Sequence, residues 1–480
     1  MFSYRFKTIL GILLCLLLIA ANTYLVFMGK PYLILLPIGV LVGLLAIYKP
    51  NWVIYFVIFS APFSFNFENL TDAGIGFYFP TEPILFGLLL LFIAKILHKN
   101  PIPKKILLHP ITILIAIQIT WIIITCVMSS MPIVSLKFLV SRLWFVVVLY
   151  LLVGKLFLEQ LDIKKYIWLY LLPLTIVIGI TIVKHAGHGF SEEVGHWIMW
   201  PFFKDHTSYG AVIAMLVPPT IALLFHSKLN GWIKTGSYIV FAVLIIGLIL
   251  SYTRAAWLSL VIVAAVWVCM VLRVRFKILL GIAVAGITFF FAIQDQLIIA
   301  LEKNNQDSSD NYSEHITSMI NISSDASNLE RLNRWGCAMR MFADRPLFGF
   351  GPGTYMFLYA PYQIEKEKTI ISTNLGDAGN AHSEYLGPLA EMGLFGGLCM
   401  LALVLMTSQL AFTLFFRLKN KDERIMILGI YLGLLSYFIH GILNNFLDTD
   451  KVSCLFWPFI VYLVVMDIRN PKGLNETTTE

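Results

Sequence analysis

The sequence predicts an all-α, polytopic integral membrane protein with about 12–14 transmembrane helices and one large outer loop. Hydrophobic residues make up 58% of the 480 residues, charged residues only 13%, and the mean hydropathy is +0.80. One soluble core of this length does not require so much apolar surface, so a soluble enzyme is excluded. Apolar runs of about 20 residues, the length that crosses a hydrocarbon core, recur from Ile9 to Met466.

The first apolar run follows Arg5 and Lys7 and resembles a signal peptide in layout. We interpret it as a membrane helix because its length suits a span and the next run follows almost at once. Fourteen spans are predicted in order, the short third being the weakest: 8–28, 31–48, 52–64, 81–97, 107–128, 136–157, 166–183, 207–226, 235–251, 255–272, 277–293, 386–416, 425–443 and 452–468. The chain therefore divides into an N-terminal transmembrane bundle (1–293), a large loop with amphipathic helices (294–385), C-terminal transmembrane helices (386–472) and a disordered tail (473–480).

The basic residues are distributed unevenly between the two sides of the predicted bundle. If the N-terminus is cytoplasmic, most short cytoplasmic loops carry Lys or Arg, whereas the short outer loops hold only Lys30, Lys184, Lys204, Arg254 and Lys451. This asymmetry fits the positive-inside rule and predicts cytoplasmic termini and an outer position for the large loop. The net charge of +7 therefore indicates anionic lipid headgroups as partners, and no nucleic acid.

The later part of the large loop has the pattern of an amphipathic helix. From Leu329, the apolar residues Leu332, Trp335, Met339 and Phe342 recur every three or four positions, and the pattern stops at Asp344-Arg345-Pro346. We expect this helix to lie across the outer mouth of the bundle, with the arginines of its first turns on another face. The run PLFGFGPG that follows predicts turns.

Two arginines, Arg254 and Arg331, are candidates for binding an anion at the outer face. Arg254 lies between two apolar runs in LSYTRAAWLSL, with no acidic residue nearby in sequence. It is either an interfacial anchor or an anion site, because a guanidinium stays charged and binds two phosphate oxygens in a fork. Arg331 adds a second positive charge if its helix folds back over the membrane, and is otherwise a solvated arginine. Lys137 and Arg142, near the outer start of the sixth span, either line the same site or snorkel to the headgroups.

His382, in NAHSEYL, ends the large loop and begins a long apolar segment. A histidine there can serve as a base, an acid or a helix-capping group, and its position lets it meet both a membrane-bound donor and a water-exposed acceptor. Glu391, an isolated acid inside the same span, is expected to face the bundle interior and find a partner there.

A histidine-rich outer segment suggests a metal site. His185, His188, His196 and His206 share one predicted loop, KHAGHGFSEEVGHW and beyond, with Glu192, Glu193 and Asp205. Their spacing matches no zinc-protease or zinc-ribbon pattern, so no metal site is predicted.

Three segments carry a family resemblance: SYTRAAWLSL (251–260), ERLNRWGCAMRMFADRPLFGFGPG (330–353) and AHSEYLGPLAEMGLFGG (381–397). On these segments, the chain resembles the O-antigen ligase superfamily, the polytopic glycosyltransferases that include O-antigen ligases, O-antigen polymerases and bacterial protein O-oligosaccharyltransferases. The resemblance implies that Arg254 and Arg331 contact the diphosphate of a polyprenyl-linked donor and that His382 is the catalytic histidine. Arg334, just before Trp335, departs from the family pattern and leaves open which arginine of the pair reaches phosphate.

The same resemblance implies an inverting, metal-independent glycosyltransferase without a cofactor. It would move a glycan from an undecaprenyl diphosphate carrier to an acceptor hydroxyl at the periplasmic face of a bacterial inner membrane. A lipid A core is the preferred acceptor, with a second glycan (polymerase) or a protein hydroxyl (oligosaccharyltransferase) as alternatives. A secondary transporter or flippase is the alternative from another class, although the few ionisable residues inside the spans count against it.

Overall fold

The structure is a computed structural model that describes residues 4–29, 35–66, 76–97, 102–159, 161–226, 231–286, 288–289, 329–365, 368, 372 and 379–471. Within these ranges, the regular secondary structure is helical apart from one two-stranded hairpin, and this confirms the predicted all-α polytopic class. Residues 294–328 of the predicted large loop and the predicted tail 473–480 lie outside the described residues.

Nine helices among the described residues are long and apolar enough to cross a membrane. Each of the fourteen predicted spans overlaps a helix of the structure. Nine of them overlap these nine helices, and the other five overlap the 24-residue helix Tyr4–Phe27 and four helices of 17 residues or fewer: Leu35–Tyr48, Pro50–Ser60, Thr81–Leu97 and Phe276–Gly286. Hydropathy therefore located the helices, and the chain is a multi-pass membrane protein.

The helices are numbered in chain order, with a short helix in several connections. They are α1 Tyr4–Phe27, α2 Leu35–Tyr48, α3 Pro50–Ser60, α4 Thr81–Leu97, α5 Lys104–Leu107, α6 Pro110–Val127, α7 Pro132–Trp144, α8 Val153–Glu159, α9 Ile163–Ala186, α10 Glu192–Gly195, α11 His206–Leu224, α12 Gly231–Ile249, α13 Arg254–Val271, α14 Phe276–Gly286, α15 329–344, α16 Tyr355–Leu358, α17 Leu386–Arg417, α18 Lys421–Leu443 and α19 Asp450–Arg469. A π-helical stretch, Phe145–Leu152, joins α7 to α8 as one continuous span. The helices α1 and α2 and most of α3 form one compact unit ending at Val57, and a second unit begins at Ile58.

Small residues bring α18 close to α11 at the centre of the second unit. A Cβ added at Gly433 would lie 2.4 Å from the Met215 carbonyl oxygen, and one added at Gly429 would lie 2.5 Å from the Ala222 Cβ. Lipid tails are as apolar as the helices, so the hydrophobic effect does not drive membrane helices together. They associate instead through close packing of their backbones at small residues. The glycines of α18 therefore set its position beside α11.

A two-stranded antiparallel hairpin is joined to the start of α19. Strand β1 (Phe65–Asn66) pairs with β2 (Tyr78–Phe79), with Phe65 opposite Phe79. The buried Lys451 ammonium donates to the Ser64 carbonyl at 2.8 Å and lies 5.0 Å from the centre of the Tyr78 ring. Buried charge needs such partners, so the hairpin and α19 are held to each other.

The long helix α17 is broken at Gly393, and the glycine-rich turn after α15 fills the break. Gly393 has φ 69° and ψ −170°, and a Cβ there would lie 2.1 Å from the Leu347 carbonyl oxygen. Backbone groups near the break pair with the turn: Phe350 N donates to Ala390 O at 3.1 Å, Gly351 N to Glu391 O at 2.8 Å and Leu394 N to Pro346 O at 2.9 Å. The predicted turns in PLFGFGPG therefore satisfy backbone groups that a continuous helix would have paired internally.

The predicted amphipathic helix exists as α15 and ends at Asp344, and its apolar stripe is not its most buried face. Met339 is 45% exposed, and Leu332, Trp335 and Phe342 are only partly buried. The buried face instead carries polar and small residues, namely Glu330, Asn333, Arg334, Cys337, Ala338 and Met341. The reason is the partner surface: Tyr355, Tyr359 and Ala381 pack there, and their polar and aromatic groups suit Arg334 better than a leucine stripe would.

Candidate functional site

The segment that carries His382 has a constrained backbone. His382 has φ 49°, in the left-handed region that non-glycine residues seldom adopt, and its N–H donates to Asn380 Oδ1 at 3.0 Å. Left-handed non-glycine residues cost free energy and concentrate at functional sites, where surrounding contacts hold them. The following residues supply those contacts.

Glu384, two residues after His382, fixes the segment to the loop between α18 and α19. Its Oε1 accepts hydrogen bonds from the Tyr437 hydroxyl at 2.5 Å, Phe446 N at 2.9 Å and Leu447 N at 2.8 Å, and its own N–H donates to Gly441 O at 2.8 Å. Burial raises the pKa of Glu384 to about 7, and Asp448 contributes in the same direction. Glu384 is not among the residues that sequence patterns mark as candidates; its place in the HSEYL motif was the available signal.

The imidazole of His382 lies among charges of both signs. Burial, followed by the positive charges of Arg331 and Arg334, lowers the pKa of His382 to about 4, while Glu330 and Asp205 act in the opposite direction. The ring is therefore neutral near pH 7 and able to accept a proton. Its four charged neighbours come from α15 and from the residue before α11, more than 170 residues away in sequence.

The charge of Arg331 acts on groups from several elements of the fold. Burial lowers the pKa of its guanidinium, and Asp205 opposes that effect. The charge of Arg331 also acts on His206 at the start of α11, on His382 and on His440 near the end of α18. That Arg331 and His382 share one site stays a prediction.

Arg334 is held by its own neighbours. Its Nε donates to Glu330 Oε1 at 2.5 Å, its guanidinium carbon lies 3.8 Å from the centre of the Tyr359 ring, and Gly379 leaves no room for a side chain beside it. This pairing and stacking occupy much of the guanidinium. The contacts of Arg334 are therefore structural ones within α15 and with Tyr359, while its Nη1 has no hydrogen-bond partner in the described residues.

Arg254 lies at the first turn of α13 with an exposed side chain, and its guanidinium makes no hydrogen bond or ion pair with the described part of the chain. The residue before it, Thr253, donates from Oγ1 to the His206 carbonyl at 2.7 Å, which ties the start of α13 to the start of α11. The backbone next to Arg254 thus reaches the histidine that Arg331 influences. A direct approach of Arg254 to His382 stays a prediction.

Glu391, Arg142 and Lys137 have three different environments. The Glu391 carboxylate accepts Tyr355 N at 3.0 Å and so anchors the turn after α15, as expected of an interior acid with a partner. Arg142 is 8% exposed and pairs with Asp448 at 2.7 Å, so the snorkelling interpretation of this residue was wrong. Lys137 is exposed on the face of α7 that also presents Ile133 and Leu136, an arrangement that fits snorkelling.

Two of the four histidines in the histidine-rich segment, His196 and His206, stack on each other, and the other two bond to the backbone. His196 and His206 are stacked with centroids 4.3 Å apart, whereas His185 Nε2 and His188 Nδ1 lie 2.9 and 3.0 Å from backbone carbonyls. Within the described ranges, no group of three or more His, Cys, Asp or Glu side chains is arranged to hold a metal ion. Asp205 next to this pair was noted only as a member of the loop; its position before an apolar run, where it caps α11 by accepting Ser208 N at 2.7 Å, was the available signal.

Comparison with known families bears on the same part of the chain. Residues 239–401, about a third of the chain, match the family model described as O-antigen ligase. No curated protein shows significant similarity to the chain. The matched range contains Arg254, Arg331, His382, Glu384 and Glu391. Residues 239–401 are thus similar to an O-antigen ligase domain, and this match supports a place for the chain in the O-antigen ligase superfamily.

Proposed function

We propose that the protein is an inverting, metal-independent glycosyltransferase that moves a glycan from a polyprenyl diphosphate carrier to an acceptor hydroxyl, with a lipid A core as the preferred acceptor. The observation that carries this proposal is the constrained, half-buried position of His382, held at φ 49° and influenced by the charges of Arg331, Arg334, Glu330 and Asp205. A base beside an anion site is what transfer from a diphosphate requires. The O-antigen ligase domain supports the same class of reaction.

In the proposed reaction, the donor diphosphate binds at Arg331, with Arg254 as a second contact. The acceptor oxygen attacks the anomeric carbon from the side opposite the diphosphate, the bond from that carbon to the phosphate oxygen breaks, and the configuration inverts. The acceptor proton passes to the His382 ring, a step worth on the order of 10²–10⁴ in rate. The guanidinium charge stabilises the negative charge that develops on the departing diphosphate.

Donor binding also adjusts the strength of the base. In the free protein, Arg331 and Arg334 lower the pKa of His382. A diphosphate at Arg331 adds negative charge that offsets these cations, so the pKa of His382 rises toward its ordinary value when the donor is bound. His382 is then a better base in the complex than in the free protein, which favours proton transfer after donor binding.

Two acceptors other than a lipid A core fit the same reaction. A second glycan unit would make the protein a polymerase, and a protein hydroxyl would make it an oligosaccharyltransferase. In each case, we place the site at the periplasmic face of a bacterial inner membrane, with both termini in the cytoplasm. A transporter or flippase, the alternative from another class, has less support because His382, Arg331 and Asp205 gather at helix ends and in connections.

The test is transfer by the purified protein in detergent with EDTA present. A polyprenyl-diphosphate glycan is offered with lipid A core, glycan and peptide acceptors, and wild type is compared with His382→Ala and with the control His188→Ala, an exposed histidine bonded to backbone. We expect product from wild type and the control, and at least 100-fold less from His382→Ala. Equal product from His382→Ala would remove this histidine from the mechanism, and no product with any acceptor would favour transport.

A further inference from the structure

A cavity of about 240 Å³ lies beside the segment that carries His382. Its lining comes from α6, α7, α17 and the loop between α18 and α19. Ala381 and Ser383, the two neighbours of His382, both line it, while the His382 ring lies among the charges of Arg331, Arg334, Glu330 and Asp205. The segment therefore borders both the cavity and the charged site.

Two buried polar atoms of the lining residues lack partners within the described ranges. Arg142 uses Nη2 to reach Asp448, and its Nε has no hydrogen-bond partner; Asn445 Oδ1 has none either. Leaving a buried donor or acceptor unpaired costs about 1–3 kcal/mol, so native proteins rarely do so without a ligand, a water or a functional reason. Arg142 Nε is a hydrogen-bond donor and Asn445 Oδ1 is an acceptor, and the hydroxyl group of a ligand can pair with either.

The charge of the lining argues for a neutral ligand. Three carboxyl groups, those of Glu384, Glu391 and Asp448, surround a single guanidinium, Arg142, which is already paired. A phosphate or diphosphate would find no unpaired positive charge there and would be repelled by the Asp448 carboxylate. The amides of Gln118 and Asn380 and the hydroxyl of Ser383 complete a set of groups that pairs with sugar hydroxyls.

The size of the cavity limits the ligand further. Pockets for drug-sized ligands occupy roughly 300–1,000 Å³, and this cavity is smaller. It has room for one sugar ring together with a few waters, and not for a chain of sugars. The aromatic rings of Phe138 and Tyr355 contribute apolar lining of the kind that packs against a sugar ring.

We propose that this cavity binds one neutral pyranose ring of a glycan acceptor and holds it against the residues on either side of His382. That the ring belongs to an acceptor rests on the proposed function. The binding of a neutral sugar in the cavity is independent of that function. The specificity-determining residues are then Arg142, Asn445 and Gln118, none of which belongs to the charged site.

A cavity-filling variant tests the proposal. Gly387 lines the cavity in the first turn of α17, and its added Cβ would meet only the Ala381 Cβ at 3.8 Å, so Gly387→Leu places a side chain in the cavity without a backbone clash. Gly179→Leu in α9 is the matched control, because a Cβ there meets nothing within 4 Å. Asn445→Leu is a second variant that keeps the volume and removes the unpaired acceptor.

Binding is measured first, without any transfer step, by saturation-transfer NMR on the detergent-solubilised protein. The probes are glucose, galactose, N-acetylglucosamine and rhamnose, with inorganic diphosphate as an anionic competitor. We expect signal from at least one neutral sugar with wild type and Gly179→Leu, loss of that signal with Gly387→Leu, weakening of about tenfold with Asn445→Leu, and no competition by diphosphate. No sugar signal, equal signals in Gly387→Leu and wild type, or displacement by diphosphate would overturn the proposal.

The acceptor role is then read from transfer kinetics. We expect the acceptor KM to rise about tenfold in Asn445→Leu while the donor KM stays unchanged. If wild type transfers nothing but the sugar signals follow the expected pattern, the proposed function fails and the sugar site stands. If wild type transfers normally and the acceptor KM is unchanged in Asn445→Leu, the acceptor role of the cavity is refuted while the proposed function stands.

Discussion

The Glu384 carboxylate connects the segment carrying His382 to α18 and to the loop between α18 and α19 through hydrogen bonds. Glu384→Ala removes these hydrogen bonds. The substitution leaves the Leu447 N–H and the Tyr437 hydroxyl without their acceptor, whereas Phe446 N keeps the Tyr437 oxygen at 3.1 Å. Two buried donors without partners cost about 1–3 kcal/mol each, so we expect a loss of about 2–6 kcal/mol in the free energy of unfolding. In a chain of this size, that loss corresponds to a decrease in Tm of roughly 2–6 °C.

The assay is thermal unfolding in one detergent at a fixed scan rate, because membrane proteins often unfold irreversibly. Glu384→Gln is the matched control: its amide oxygen can still accept at the Oε1 position, so its Tm should stay within about 2 °C of wild type. Transfer activity should fall with Glu384→Ala and persist with Glu384→Gln. A Tm for Glu384→Ala equal to that of wild type, or equal losses in both variants, would refute the reasoning.

The free energy of unfolding of wild type should fall with rising pH more steeply than that of Glu384→Gln. Burial raises the pKa of Glu384 from 4.5 to about 7, so the folded protein favours the protonated carboxyl. This contribution to stability is present below pH 4.5 and is lost as the pH rises to about 7. Between pH 5 and pH 8, the free energy of unfolding of wild type should therefore decrease more than that of Glu384→Gln, which cannot titrate; parallel pH curves would contradict this.

Three further predictions concern the break in α17 and the basic residues. Gly393→Ala should lower the free energy of unfolding by about 1–3 kcal/mol or more, because φ 69° with ψ −170° suits glycine alone and the new Cβ would meet the Leu347 carbonyl. Gly387→Ala, six residues earlier, is the control and should leave the Tm unchanged or higher. Arg331→Gln removes a cation that lowers the pKa of His382, so the acid limb of kcat/KM for transfer should move to higher pH, while Arg331→Lys keeps it in place. Lys137→Gln should change neither transfer nor Tm beyond error, because the side chain is exposed; a tenfold loss of activity would place Lys137 in the site after all.

Local patterns in the sequence predicted the helices and one of their ends well. Each predicted span overlaps a helix, and α15 ends at the Asp344-Arg345-Pro346 stop signal, because hydropathy over about 20 residues and the residues at helix ends act locally. The apolar pattern of α15 did not reveal which face of the helix packs on protein. Apolar periodicity identifies a face that avoids water, but it does not tell packing on protein from contact with a membrane surface, and the polar face of α15 is the one that packs on Tyr355 and Tyr359.

Arg142 shows the same limit for a single side chain. Its position near a predicted helix end suggested snorkelling, since a lone arginine near a membrane surface usually reaches for headgroups. In the structure, it is buried against Asp448, more than 300 residues away in sequence. A partner at that distance along the chain leaves no local trace, so only the packing of α7 beside the loop before α19 reveals it.

The sequence by itself determined that this is an all-α membrane protein and which residues of three short segments carry an O-antigen ligase pattern, because both are properties of neighbouring residues. The tertiary structure alone decided which side chains meet. It placed the Arg334 guanidinium over the Tyr359 ring and brought Asp205, His206, His382 and His440 within the electrostatic influence of Arg331. These encounters depend on how helices distant in sequence pack, and the free energies of packing and of pairing buried charges are set by that arrangement.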